Sequence, residues 1–220
     1  GARATTGLAP RIRRGTKGGD GYFWLSVISA VVLAALPWIG LSPYYLYVFS
    51  LAFVYAILGL SQDLAMGWTG LFVVAPAAFL GIGAYSTAVL ATTYGWNIWL
   101  AIVAGSICTA LIAALTGPAL LRLSGHFLVL GTMGFGLIVA QVIENWKSVT
   151  GGTNGIPNVP SLWLGTSLAD SVGDYQLDYL TALAVLLAVA AGLRRLRRSR
   201  LGVDLQAIRA DALAAAASGI

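Results

Sequence analysis

The stretch Tyr179–Ile220, YLTALAVLLAVAAGLRRLRRSRLGVDLQAIRADALAAAASGI, decides how the chain is read. Its opening, Tyr179 to Leu193, carries no charged residue and reads as a membrane span. Arg194, Arg195, Arg197, Arg198 and Arg200 follow at once and form a basic collar. Beyond the collar, Leu201, Leu205, Ile208 and Ala212 recur at four- and three-residue steps, an apolar stripe at helical spacing. Asp204, Gln206, Arg209 and Asp211 lie off that stripe. An alanine run from Ala214 to Ala217 continues with the best helix former, and Gly219 stands where a C-capping glycine belongs. Residues 194–220 therefore read as a basic collar and a short amphipathic helix at a membrane surface. On the residues alone this is either a stop-transfer cluster with an interfacial anchor, or a handle for a partner protein.

Working outward, the other apolar runs repeat the theme. The chain has 220 residues, 58% of them hydrophobic and 10% charged. Soluble domains carry about 25% charged residues. The spans read as Tyr22–Gly40, Tyr44–Gln62, a third within Leu71–Tyr94 with Pro76 near its start, Trp99–Leu121, Phe127–Ile143 and Tyr179–Leu193. The fold class is an all-α, polytopic transmembrane helix bundle of about six spans with a cytoplasmic amphipathic helix. Its parts are a basic N-terminal segment, 1–21, a transmembrane domain, 22–193, with an outer loop at about 145–177, and the segment 194–220. The run at Tyr22 is long enough to span and is followed by more spans, so it is a first transmembrane helix and not a signal peptide. The sixth run reaches only about 22 Å at 1.5 Å per residue, short of a roughly 30 Å hydrocarbon core. Snorkelling of Arg194 and Arg195 at one end, and Tyr175 and Tyr179 at the other, would close that gap.

Charge sets the orientation. With six spans, the N-terminal segment and residues 194–220 share a side. That side holds every arginine and Lys17, whereas Lys147 is the one basic residue opposite. The positive-inside rule makes it cytoplasmic. The net charge of +5 is thus a membrane signal and points to no nucleic acid. Aromatic residues such as Trp38, Tyr44, Trp96, Trp99 and Trp163 fall at outer span ends, as an aromatic belt does.

Several functions lack their motif. No G-x-x-x-x-G-K-[ST] phosphate loop is present, so ATP is not expected on this chain by that device. His126, the single histidine, has no metal-ligand partner at useful spacing, and Ser124 with His126 has no orienting acid nearby. Cys108 is the single cysteine. The chain is read as a non-enzyme with no cofactor, no catalytic residue and no metal ligand.

Three local patterns stand out. The fourth span carries Ala101, Gly105, Thr109, Ala113 and Gly117 at four-residue steps, a smooth face for close helix approach that is either static packing or a sliding surface. Between Asp63 and Ala78, DLAMGWTGLFVVAPAA is interrupted by Gly67, Gly70 and Pro76. It is either a turn or a broken helix lining a cavity, where backbone amides and carbonyls would meet a zwitterion. Thr150-Gly-Gly-Thr-Asn-Gly155 is turn chemistry, a solvated loop or an outer gate.

These pieces together resemble the permease subunits of bacterial ABC importers for branched-chain amino acids, specifically the M-type subunit, over roughly Ile57 to Ile220. Gly67-Trp-Thr-Gly70 with Ala78-Phe-Leu-Gly-Ile-Gly-Ala-Tyr85 is similar to the family's G-Y-x-G … A-F-F-x-I-G-A-Y segment. Arg122-Leu-Ser-Gly-His-Phe127 with Gly131-Thr-Met-Gly-Phe-Gly136 resembles its R-L-x-G-x-Y … T-L-x-F-G segment. Thr150 to Gly155 matches T-G-G-x-x-G, and Ser199 to Ile220 resembles S-x-x-G … A-I-R-x-D-x-x-A-A-x-x-x-G-I. Departures are Val73, Ala75 and Pro76, where the family often has S-x-G-H, and Asp63 in place of asparagine.

The resemblance implies an importer subunit for branched-chain or other small neutral amino acids, in the bacterial inner membrane. Its expected partners are a paralogous permease subunit, two ABC ATPase subunits, a periplasmic or lipid-anchored substrate-binding protein, and membrane lipid. It implies ATPase coupling through Arg209, Asp211, Ala214, Ala215 and Gly219. Candidates for the translocation path are Asp63, Gly67, Thr69, Gly70 and Thr132. Candidates for binding-protein docking or the outer gate are Thr150, Gly151, Gly152, Asn154 and Gly155. A urea or short-amide ABC permease, and a secondary transporter or channel without ATPases, stay open as alternatives. Family members continue past the glycine at Gly219, so the chain is expected to be a piece of a longer protein.

Overall fold

The structure, a computed structural model, describes residues 28–123, 125–163 and 173–210. Among these residues the regular elements are all helical. The chain divides into two units, 1–40 and 41–220. The described part of the first is the apolar helix α1, Ile28–Ile39, whose last turn Leu36–Ile39 tightens to 3-10 geometry around Pro37 and ends on left-handed Gly40.

The second unit begins with α2, Pro43–Gln62, which runs on through a wider π-type segment, Asp63–Trp68. Next come α3, Pro76–Thr92, α4, Ile98–Leu120, and α5, His126–Asn145. A single turn at Lys147–Thr150 precedes α6, Asp174–Arg197, and α7, Arg200–Ala210. Among the described residues, four helices are long and apolar enough to cross a membrane: Pro43–Trp68, Ile98–Leu120, His126–Asn145 and Asp174–Arg197. The helices Ile28–Ile39 and Pro76–Thr92 are apolar but shorter. This is a polytopic helical membrane protein. Large apolar side chains such as Leu115, 81% exposed, and Phe127, 70% exposed, point outward, as a bilayer solvent permits.

The third span lies within its expected bounds, and the sixth exceeds them. The third span is shorter than its apolar run, because Leu71–Val74 are not helical and Pro76 occupies the first turn of α3, where its missing N–H costs no bond. The sixth is longer than its run. At 24 residues α6 extends about 36 Å. Asp174 sits in its first turn and Arg194, Arg195 and Arg197 in its last. Both sets of charges complement the helix dipole, so the helix continues into polar sequence that an apolar window discards. Length alone then spans the core, and Tyr179 is no snorkelling residue.

Tyr179 is instead the centre of the α2–α6 contact. It is 0% exposed, with Phe53 at 5.2 Å and Phe49 at 6.5 Å between ring centroids, both edge-on. Leu46 and Leu183 are buried with it. The other close pair is α3–α4. Ala101 is fully buried, and Gly105 lies against the backbone of Gly83 and Thr87. The four-residue ladder on α4 is therefore a packed face through Ala101, Gly105 and Thr109, whereas Gly117 has open space beside it.

Candidate functional site

The break after α2 is built by its own side chains. The hydroxyl of Thr69 donates to the carbonyl of Ala65. Asp63 packs over Gly67, where any side chain would strike its carboxylate. Gly70 adopts φ +75°, which a glycine takes without penalty. The chain then runs without helix through Leu71–Val74, so its backbone groups need partners from elsewhere. Gln62 donates from its side-chain amide to the carbonyl of Val73. The N–H of Val74 donates to the hydroxyl of Thr132 on α5 at 3.1 Å, and that hydroxyl donates to the carbonyl of Val129 at 3.1 Å. Thr132 is 1% exposed.

Asp63, Gly67, Thr69 and Gly70 thus form one element, and Thr132 holds its exit. Gln62 and Val74 are partners that sequence reasoning missed. The available signal is a glutamine closing an apolar run next to a glycine-broken segment. The pairing also changes the expected chemistry. The Val73 carbonyl and Val74 amide are occupied by protein groups and are not bare sites for a zwitterion.

At the other end of α5, the loop Thr150–Gly155 is an ordered cap. Thr150, 5% exposed, directs its hydroxyl to the carbonyls of Ile143 and Trp146, the latter at 2.9 Å, and accepts from the N–H of Gly152 at 3.2 Å. The Ile143 carbonyl lies in the last turn of α5, so this bond covers a group that the helix end leaves without an intrahelical partner. Gly151 and Gly152 have φ of +75° and +64°. A β-carbon on Gly151 would run into the carbonyl of Gly155, and one on Gly152 would come within 3.0 Å of the Glu144 carbonyl. Gly152 is buried, while Asn154 is exposed on the loop surface.

A cleft of about 600 Å³ between α3 and α5 joins the two regions. Val74 lines it from the break, Glu144 from the end of α5, and Gly152 and Thr153 from the loop. Gly81 and Gly136 line its length. A second cavity of about 600 Å³, bounded by α3, α4 and α5 through Ser86, Cys108 and Val142, is almost entirely apolar.

The α6–α7 corner explains the spacing of Ser199 and Gly202. The Ser199 hydroxyl donates to the Leu196 carbonyl at 2.6 Å, and its own carbonyl accepts from Val203 at 3.2 Å. Gly202 is buried where a side chain would meet the Leu196 and Arg197 backbone. Arg209 lies on α7 and donates from its guanidinium to the carbonyl of Gly67. The other coupling candidates, Asp211, Ala214, Ala215 and Gly219, lie outside the described residues.

The Thr132 contact yields a direct expectation. Thr132→Val keeps shape but takes the acceptor from the part-buried Val74 N–H, at a cost of about 1 kcal/mol. A lowered thermal midpoint, together with faster amide exchange confined to residues 71–74, is the expected result in the full-length protein.

The sequence model of a family described as "Branched-chain amino acid transport system / permease component" matches residues 44–220. The chain is 31% identical, over 191 aligned residues, to the "High-affinity branched-chain amino acid transport system permease protein LivM" of Salmonella typhimurium. The same identity over the same length is found with the protein of that name from Escherichia coli K12. Each alignment covers 78% of this chain and 45% of the relative, so the chain spans just under half the length of the curated relatives it matches. No solved structure matches significantly. The match takes in the break, the α3–α5 cleft, the glycine loop and α7 alike, and the chain belongs to the branched-chain amino acid transport permease family.

Proposed function

We propose that the chain is the membrane-spanning part of an ABC importer permease for branched-chain or other small neutral amino acids. The observation that carries this reading is the family match over residues 44–220. In it, two separate ATPase subunits supply the energy, and a paralogous permease subunit completes the pore. A periplasmic or lipid-anchored binding protein delivers substrate near Thr150–Gly155. The protein sits in the bacterial inner membrane with its N-terminus and residues 194–220 in the cytoplasm, a placement supported by the twelve basic residues on that side. Substrate passes along the α3–α5 cleft, whose small residues leave width and whose two ends are the glycine loop and the break. The segment from Asp211 to Gly219 contacts the ATPase.

Purification of the tagged full-length native protein in mild detergent, with mass spectrometry of what accompanies it, tests the assembly. Two ABC ATPases and a homologous permease are expected. Reconstituted with its binding protein, the complex is expected to take up leucine, isoleucine or valine only with ATP. Recovery of a lone homo-oligomer, or uptake without ATP, would sink the importer reading.

A further inference from the structure

We propose that Arg209 is a positioning residue that ties the cytoplasmic helix α7 to the break after α2, so that movement of α7 pulls directly on the inner end of the α3–α5 cleft. The proposal rests on the importer reading for what moves α7, but the tie itself is independent of it.

The π-type segment ends at Trp68, and its last carbonyls have no helical partner. The guanidinium of Arg209 donates to one of them, the Gly67 carbonyl, across 142 residues of sequence. A cation at a helix C-terminus is favoured by both hydrogen bonding and the dipole. The methylene stem of Arg209 lies over Gly70, where a β-carbon would sit 3.3 Å from its Cγ. Gly70 is thus bare on the side that receives Arg209. The next residues, Leu71 to Val74, are fastened by Gln62 at Val73 and by Thr132 at Val74, and Val74 lines the cleft. A continuous series of bonds leads from α7, through Gly67 and Gly70, to the cleft wall and α5. Arg209 therefore belongs to the chain's own mechanism of transmission and not to the ATPase contact.

The test uses the full-length protein in its native complex in nanodiscs, as Arg209→Ala, Arg209→Lys and the control Arg200→Ala, also on α7. Amide exchange is read at residues 68–74, with residues 98–120 as a fold control. For Arg209→Ala the expected result is exchange at 68–74 faster by about tenfold, the factor for losing a charge-assisted hydrogen bond. Residues 98–120 should be unchanged and the ATPase subunits retained. Substrate moved per ATP hydrolysed should fall by a similar factor. Arg209→Lys should fall between, since it keeps a cationic donor but not the planar fork, and Arg200→Ala should match wild type. Unchanged exchange at 68–74 with loss of the ATPases from Arg209→Ala would overturn the proposal and make Arg209 a docking residue. Unchanged exchange with the ATPases retained would overturn it as well. If the wild-type complex contains no ATPase, the importer reading fails, while the exchange result still decides the tie.

Discussion

Replacing Gly105 by leucine is expected to disrupt the α3–α4 pair and cost about 3 kcal/mol or more, since overpacking of a tight contact costs about 1–3 kcal/mol even where side chains yield. Here an added β-carbon would strike the Thr87 hydroxyl first and press on backbone behind it. A β-carbon at Gly105 would sit 3.1 Å from the Thr87 nitrogen and 3.3 Å from the Gly83 carbonyl oxygen. Neither can turn aside, because both belong to the helical ladder of α3. Helices in lipid gain little from excluding apolar surface and depend on close packing, so separation by a side chain's width removes most of what holds the pair. Gly117→Ala is the matched control on the same ladder. With nothing within 4 Å of its added carbon, it should stay within about 0.5 kcal/mol of wild type. The measurement is the thermal midpoint and the monodisperse yield of the detergent-purified full-length protein. Equal behaviour of the two variants would show that this face is not the packing surface of α4.

Replacing Gly151 by valine is expected to unfold the glycine loop, at about 3 kcal/mol. A left-handed backbone costs a residue with a β-carbon about 1–2 kcal/mol, and the clash with the Gly155 carbonyl adds an overpacking cost of similar size. The loop caps the α5 carbonyls through Thr150 and lines the cleft through Gly152, so the damage should reach both. Limited proteolysis of the full-length protein, read for new cuts between Trp146 and Asn158, checks this directly. Gly155→Ala is the milder comparison, since its φ of +67° is strained for alanine but open space surrounds it. Resistance of Gly151→Val to cleavage would mean that the loop does not depend on its left-handed glycines.

Both predictions depend on features whose chemistry is legible in the residues themselves. Thr150-Gly-Gly-Thr-Asn-Gly is recognisable as a turn, because glycine at such density has few uses other than positive φ. What the string of residues lacks is the direction of Thr150, whose hydroxyl turns back onto α5 and makes the loop a cap. The break at Gly67 and Gly70 is likewise visible, while its stitching by Gln62 and Thr132 is not. Val74 and Thr132 are 58 residues apart, and no local pattern states that α5 passes beside residue 74.

Membrane class, the helical spans from Pro43 onward and the positions of the breaks were legible in the sequence alone, and the arginines supply the expected orientation. Each depends on local composition acting against a uniform solvent: runs of apolar residues prefer lipid, arginines prefer one side, and glycine and proline interrupt helices whatever surrounds them. The burial of Tyr179 between α2 and α6, the full length of α6, the packed half of the α4 ladder and the meeting of Arg209 with Gly67 were decided by tertiary structure. These depend on which helices become neighbours, and in lipid that choice rests on short-range fit between distant segments, which no window along the chain contains.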